Sequence, residues 1–339
     1  MNLELLLHFL KFDIQSNSLD FERWLDRLYV SNDLTQTFPD KCASLKLIVE
    51  SKDSPEALRI KPPAKGVFAE TNLCTGRCYY EEGRFFASHD GDYWHEMEYD
   101  LQSHTIRANV SGKYLSNSQA FLSHMIRPIL QSFILPFYSI KSLHGAVLTK
   151  SARTVFLSGQ GGAGKTTCAV QLMHAGYGLL SEDGPLFVTR NGSAYALSSL
   201  DYLHVTENTL RLFPELKPSV VGQKDHRDKF AVSLSSVQDS RAWTEPHLVT
   251  HYIQLHRSSD VLEPRIKQTK RGLVLRDLIN ESMVIFRPKS FRGGEAKPFS
   301  DYSEFVFDLL TKVIHGAETY ELEYADQHLK EIPELISRL

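Results

Sequence analysis

The ten residues Ser158–Thr167, SGQGGAGKTT, place four glycines and an alanine around one lysine and stop at two threonines. An apolar run, TVFLSG (Thr154–Gly159), precedes them, and KTTCAVQLMHA (Lys165–Ala175) follows with helical spacing up to Gly176, a normal C-cap glycine. Gly159 to Thr166 fits the spacing G-x-x-x-x-G-K-[ST]. The chemistry explains each position. Phosphate oxygens need several backbone N–H groups converging on one point, and glycine supplies the required close approach and positive φ. The N–H groups opening the next helix are unpaired and carry partial positive charge, which makes an anion site. Lys165 can reach the outer phosphates, and the Thr166 hydroxyl suits Mg²⁺.

Working outward, the short apolar strand YGLLS (Tyr177–Ser181) leads into Glu182-Asp183. If that strand packs beside the loop strand, its end lies at the loop's edge of the sheet and the two carboxylates face the phosphates. One could hold Mg²⁺ and the other accept the proton of an attacking hydroxyl. Upstream, SLHG (Ser142–Gly145) opens the strand HGAVLTK (His144–Lys150), expected to pair antiparallel with the loop strand; that register could put His144 near the phosphates, although a lone histidine is more often structural or exposed. PLFVTR and SAYALSS flank Asn191-Gly192, a strong hairpin signal. A doubly wound domain alternates strands and helices around a parallel sheet. Here the loop sits amid hairpins, so the sheet is expected to be mixed.

The chain has 339 residues, 42% hydrophobic and 23% charged, with a formal net charge of −3. That length suits two domains. The balance argues against nucleic acid as the main partner. Four cysteines (Cys42, Cys74, Cys78, Cys168) make no disulfide framework, and no second pair faces Cys74 and Cys78 across a zinc site. The start, MNLELLLHFLKFDIQ, lacks a basic lead and a cleavage site, and no apolar run reaches the roughly 18 residues of a membrane span. A cytoplasmic protein without a membrane partner is expected. Residues 1–112 alternate short apolar runs with turns: SLKLIVES, GRCYYEE, GRFFASHDGDYWHEMEYD with Asp90-Gly91 as a turn, and HTIRANVSG. They predict an antiparallel β-rich α+β domain with one opening helix, for acceptor recognition or homo-oligomerisation. Apolar residues from Phe121 to Phe133 then recur at helical spacing, predicting a linking helix over 116–135 that opens a second domain, 113–339. HLVTHYIQLHR predicts a buried strand. GLVLRDLINESMVIF and SDYSEFVFDLLTKVIHG predict helices, TYELEYA a strand, and HLKEIPELISRL a closing helix.

Taken together, SLHG, a short strand, GQGGAGKTT, a helix ending in His-Ala-Gly and LLSED resemble the catalytic domain of bacterial HPr kinase/phosphorylase and its relatives. The resemblance is close from Ser142 to Val188 and fainter to the C-terminus. It implies the mixed-sheet core shared with phosphoenolpyruvate carboxykinase, and ATP and Mg²⁺ as cofactors. It implies phosphoryl transfer to a serine hydroxyl. By position, Gly159, Gly161, Gly162, Ala163, Gly164, Lys165, Thr166 and Thr167 would bind the triphosphate. Glu182 and Asp183 would stand where the family has two aspartates, one a proton acceptor and both near the metal, with Thr166 as a further metal ligand. His144 would fall on a family histidine near the reacting phosphate. The first acid here is glutamate, whose longer arm shifts the carboxylate by about 1 Å, a displacement that matters for aligned proton transfer. The loop that marks the enzymes modifying HPr itself is missing from this sequence, so HPr is not the expected acceptor.

Two charged segments add candidates. GQKDHRDKF offers Lys224, Arg227 or Lys229 to balance phosphate charge, and RPKSFRGGE (Arg287–Glu295) reads as a lid or acceptor loop. The hairpin around Tyr93-Trp94 reads as core or interface. The leading expectation is an ATP-dependent kinase acting on a hydroxyl of a peptide, protein or small molecule. The alternative is a nucleotide-dependent switch or scaffold in which turnover is incidental.

Overall fold

The computed structural model describes residues 2–17, 33–52, 67–69, 77–81, 84–89, 94–100, 102–113, 139–198, 202–221, 229–238, 245–284 and 297–339. The expected helix over 116–135, the Asp90-Gly91 turn, Cys74, Lys224, Arg227 and the segment Arg287–Glu295 lie outside the described residues. The chain divides into two compact units, Met1–Ser139 with Met283–Glu304, and Ile140–Ser282 with Phe305–Leu339. The sequence reading divides the chain at 112/113, and residues 114–138 between that point and the second unit are again outside those described.

The first unit is built on one eight-stranded sheet. Its strands are β1 (Asn2–Leu7), β2 (Leu10–Ser16), β3 (Ala43–Lys52), β4 (Val67–Ala69), β5 (Arg77–Glu81), β6 (Arg84–His89), β7 (His95–Asp100) and β8 (Thr105–Ser111). They run in the order β1-β2-β3-β8-β7-β6-β5-β4. Alternation explains the strands. In β7 His95, Met97 and Tyr99 are buried, while Glu96, Glu98 and Asp100 between them are partly exposed. Trp94 is buried just before β7, so that part of the hairpin is core.

Two expectations for this unit are corrected. The expected opening helix does not lie in residues 2–16, where β1 and β2 pair antiparallel around His8, whose φ is 58°, and residues 18–32 lie outside those described. Leu10, Phe12 and Ile14 are buried at every second position, and that period-two pattern outweighs the leucine-rich composition. The sheet is also mixed and not purely antiparallel, because β2 pairs parallel with β3 and β3 parallel with β8. Parallel neighbours need long crossovers, which a reading built on adjacent hairpins does not supply.

The second unit holds β9 (Ile140–Ser142), β10 (Ala146–Lys150), β11 (Arg153–Ser158), α1 (Lys165–His174), β12 (Gly178–Glu182), β13 (Leu186–Arg190), β14 (Ser193–Leu197) and β15 (Tyr202–Thr206). It continues with α2 (Glu207–Leu212), β16 (Val220–Val221), β17 (Lys229–Ser233), β18 (His247–Leu248), β19 (His251–Arg257), β20 (Arg265–Gln268), α3 (Arg271–Val284) up to residue 282, α4 (Lys297–Gly316) from residue 305, β21 (Glu318–Tyr324) and α5 (Ile332–Ser337). The six-stranded sheet runs β12-β10-β11-β19-β21-β20 and is mixed, as expected. β10 is antiparallel to both β11 and β12, whereas β11, β19 and β21 are parallel. A four-stranded sheet, β18-β14-β13-β9, and a three-stranded one, β15-β17-β16, complete the unit.

The β11 side chains from Thr154 to Ser158 are all buried, so both faces of that strand are covered. Phe156 meets Phe187 of the four-stranded sheet at 5.2 Å between ring centroids and Tyr252 of β19 at 5.5 Å. Rings at these separations add about 0.5–1.5 kcal/mol to the burial itself. Helix α1 contributes Cys168, Ala169, Val170 and Leu172 to the core and packs against β10, β12 and α5. Burial pushes the Cys168 thiol up to about 12, so it serves as a small apolar residue. The Asn191-Gly192 turn takes φ of 50° and 77° between β13 and β14, as the hairpin signal requires. Among the described residues, no helix is long and apolar enough to cross a membrane.

Candidate active site

The loop between β11 and α1 carries Gly159, Gly162 and Gly164 at φ of 149°, 82° and 83°. Gly164 is the N-cap of α1 and lies in the left-handed region. Its carbonyl receives the Cys168 N–H at 2.8 Å, the first bond of the helix. A Cβ on Gly164 would stand 2.2 Å from the Tyr324 hydroxyl. That hydroxyl, from the end of β21, donates to the Ala163 carbonyl at 2.8 Å. Burial holds the Tyr324 phenol well above its usual pKa, so it stays protonated and can donate. The loop is thus clamped from β21 through a tyrosine that sequence reasoning places on a strand but not at the site. Lys165 Nζ donates to the carbonyls of Gly159 at 2.6 Å and Gln160 at 3.1 Å and spans the loop mouth.

Glu182 ends β12 and is 3% exposed. The Thr166 hydroxyl donates to its Oε1. The backbone N–H of His204 donates to Oε2 at 3.2 Å, and His204 Nδ1 lies 3.9 Å from the same oxygen. Burial and, after it, the adjacent Asp183 carboxylate raise the pKa of Glu182, while the positive charge of Lys229 and the Thr166 and His204 bonds pull the other way. Lys229 is therefore close enough for its charge to act on Glu182. His204 sits on β15, a strand not identified in sequence. The alternation of YLHVT, with Leu203 and Val205 buried between partly exposed Tyr202 and His204, is the signal that marks it.

Asp183 reaches a different partner. Its N–H donates to the Gly145 carbonyl at 2.9 Å, and its Oδ1 lies 3.3 Å from His144 Nδ1. His144 is half exposed, whereas the Asp183 side chain is 12% exposed, so the pair marks the rim of the site. Gly145 makes this approach feasible: a Cβ there would come within 2.3 Å of the Phe156 ring and 2.4 Å of the Leu157 carbonyl. Consecutive residues of a regular strand point to opposite faces. Asp183 escapes that rule with φ of 57°, a conformation Asp tolerates better than most residues. The break in alternation lets both acids approach the loop's edge.

One element of the expected geometry is corrected. The acid-bearing strand does not pack beside the loop strand. β12 pairs with β10, which lies between it and β11. Two successive antiparallel pairings restore the direction of β11, with Ala146 opposite both Leu157 and Glu182, so β12 still ends at the loop's edge.

The donor set bears on the expected groups. Thr166 Oγ1 and Glu182 Oε1 are adjacent hard oxygens, the type Mg²⁺ takes while keeping waters and phosphate oxygens as its other ligands. Among the described residues no group of three or more His, Cys, Asp and Glu could hold a metal ion. An all-protein cage is therefore not offered by those residues, and a metal shared with phosphate fits the donors that are. The glycine loop opening α1 fits a polyphosphate on the same physical grounds.

No protein-family model matches the chain, and no curated protein is similar to it. Among solved structures, the chain is similar to the HPr(Ser) kinase/phosphatase from Coxiella burnetii, at 13% identity and a TM-score of 0.32, over 58% of this chain and 94% of that one. A likeness at that level carries neither fold nor function, and what the site can do follows from its own atoms.

Proposed function

We propose that the protein is an ATP- and Mg²⁺-dependent phosphotransferase that passes the γ-phosphoryl group to a hydroxyl, that of a serine in a peptide, protein or small molecule. The observation that carries this reading is the division of labour between neighbouring acids: Glu182 is bonded to Thr166, while Asp183 is paired with His144. A nucleotide switch needs the first arrangement but has no use for the second.

When bound, Mg²⁺–ATP supplies an electrophilic phosphorus with its charge partly neutralised. The chain supplies the rest. Amides from Gly159 to Thr167 hold the phosphates, and Lys165 turns from the loop carbonyls towards the outer phosphate oxygens. Thr166 and Glu182 hold the metal. Asp183, at the rim, accepts the proton of the acceptor hydroxyl, and His144 orients that carboxylate. Lys229 adds positive charge on the Glu182 side.

The test is transfer of γ-labelled phosphate into serine-containing acceptors. Lys165→Ala should abolish transfer together with nucleotide binding. Asp183→Asn should retain nucleotide binding and lose about 10²–10⁴-fold in transfer. Wild-type transfer in both variants refutes the assignment. Nucleotide-dependent affinity for a partner, without any labelled acceptor, favours the switch instead.

A further inference from the structure

A cleft of about 510 Å³ adjoins the loop on the side away from the acids. One wall is the first half of the loop, Gln160 to Ala163. The other is the end of β19, Gln254 to Ser258, with Val261 and Glu323. Gln160 to Ala163 belong to the phosphate loop described above, whereas Gln254, Leu255, His256, Ser258, Val261 and Glu323 on the other wall have no role in that site. The volume lies in the range of small-molecule sites and far exceeds what a phosphate fills.

The sheet order decides what belongs there. β12, which carries Glu182, stands two places from β11 on one side, and β19 is next to β11 on the other. Three strand spacings, about 14 Å, therefore separate the acids from the cleft, with the loop between them. In-line transfer puts the acceptor hydroxyl opposite the bridging oxygen that leaves. If the acids mark the γ-phosphoryl end, the acceptor approaches from their side, and the remainder of the donor extends towards Gln160–Ala163. Arg257 borders both parts: its Cδ lies 3.5 Å from where a Gly164 Cβ would be, and its guanidinium is tied to Asp326. A cation pinned at that junction suits the innermost phosphate. Beyond it the lining combines a carboxylate (Glu323), an amide (Gln254) and an imidazole (His256) with the apolar Leu255 and Val261. That mixture fits a flat, hydrogen-bonding group larger than phosphate.

We propose that this cleft takes the nucleoside half of the donor, its base and ribose. The proposal rests on the phosphotransfer reading above, and the experiment separates the two. Binding of ATP and of inorganic tripolyphosphate, both with Mg²⁺, is measured by calorimetry on the full chain. Wild type should bind ATP at least about tenfold more tightly than tripolyphosphate. Val261→Trp, which fills the cleft, should erase that advantage and leave tripolyphosphate affinity within about twofold, which also reports that the loop is intact. Glu323→Ala, which adds no bulk, should reduce the advantage. Equal affinity of wild type for the two ligands overturns the proposal, as does an ATP advantage that survives in both variants. Tripolyphosphate binding that is absent, or unchanged in Lys165→Ala, overturns the phosphate-loop reading and this proposal with it.

Discussion

Replacing Gly164 by alanine tests how the loop is held. Gly164 has φ of +83°, so alanine incurs the left-handed penalty of about 1–2 kcal/mol. Its Cβ would also stand 2.2 Å from the Tyr324 hydroxyl, with Tyr324 Cζ and Arg257 Cδ at 3.4 and 3.5 Å. Only the hydroxyl oxygen is in conflict. Moving it breaks the 2.8 Å bond to the Ala163 carbonyl and leaves a buried acceptor unmet, at about 1–3 kcal/mol. Gly164→Ala should therefore lose about 2–5 kcal/mol. Tyr324→Phe removes the same hydrogen bond and should lose about 1–3 kcal/mol. The double variant incurs the bond loss once, and the clash has gone, so it should be more stable than the sum of the singles by about 1–3 kcal/mol. Urea unfolding of the four proteins at unchanged m measures the cycle. Nucleotide affinity should follow the same pattern. Additivity within about 0.5 kcal/mol would show that Tyr324 does not clamp the loop.

Two further expectations concern charge. Burial and Asp183 raise the Glu182 pKa in the folded chain, so between the ordinary carboxylate value and the raised one the folded state holds more protons than the unfolded state. Stability from this group is therefore lost as pH climbs through that window, and Glu182→Gln should flatten the slope while reducing transfer about 10²–10⁴-fold. Parallel pH profiles for the two proteins would contradict it. Burial lowers the Lys141 ammonium to about 7, so from there to its unfolded value near 10.5 the unfolded chain binds the extra proton and stability rises with pH. Lys141→Met should remove that rise. Denaturation midpoints at pH 7 and pH 9.5 check it, and an undiminished rise in the variant refutes it.

The loop, the helix after it and the hairpin at Asn191-Gly192 were legible because each rests on local chemistry: glycine conformations, helical spacing and turn residues within a few positions. The opening hairpin was not legible, because a leucine-rich run of this length satisfies two periods nearly equally well. The burial of Leu10, Phe12 and Ile14 against the rest of the sheet decides between them. The parallel pairings of β3 were not legible, since nothing within a strand records the direction of a neighbour far away in sequence. His204, Tyr324 and Arg257 reach the site from β15, β21 and β19, and their residue types alone do not distinguish them from ordinary strand residues.

By itself, then, the sequence determined a glycine-lined anion loop opening a helix, a pair of acids after the next strand and a histidine before the preceding one. Those features are read from neighbours along the chain. Only the tertiary structure decided that β10 stands between loop strand and acid strand, and that the left-handed turn at Asp183 sends one acid to Thr166 and the other to His144. Strand order and side-chain direction come from long-range pairing and packing, and these have no local signature to read.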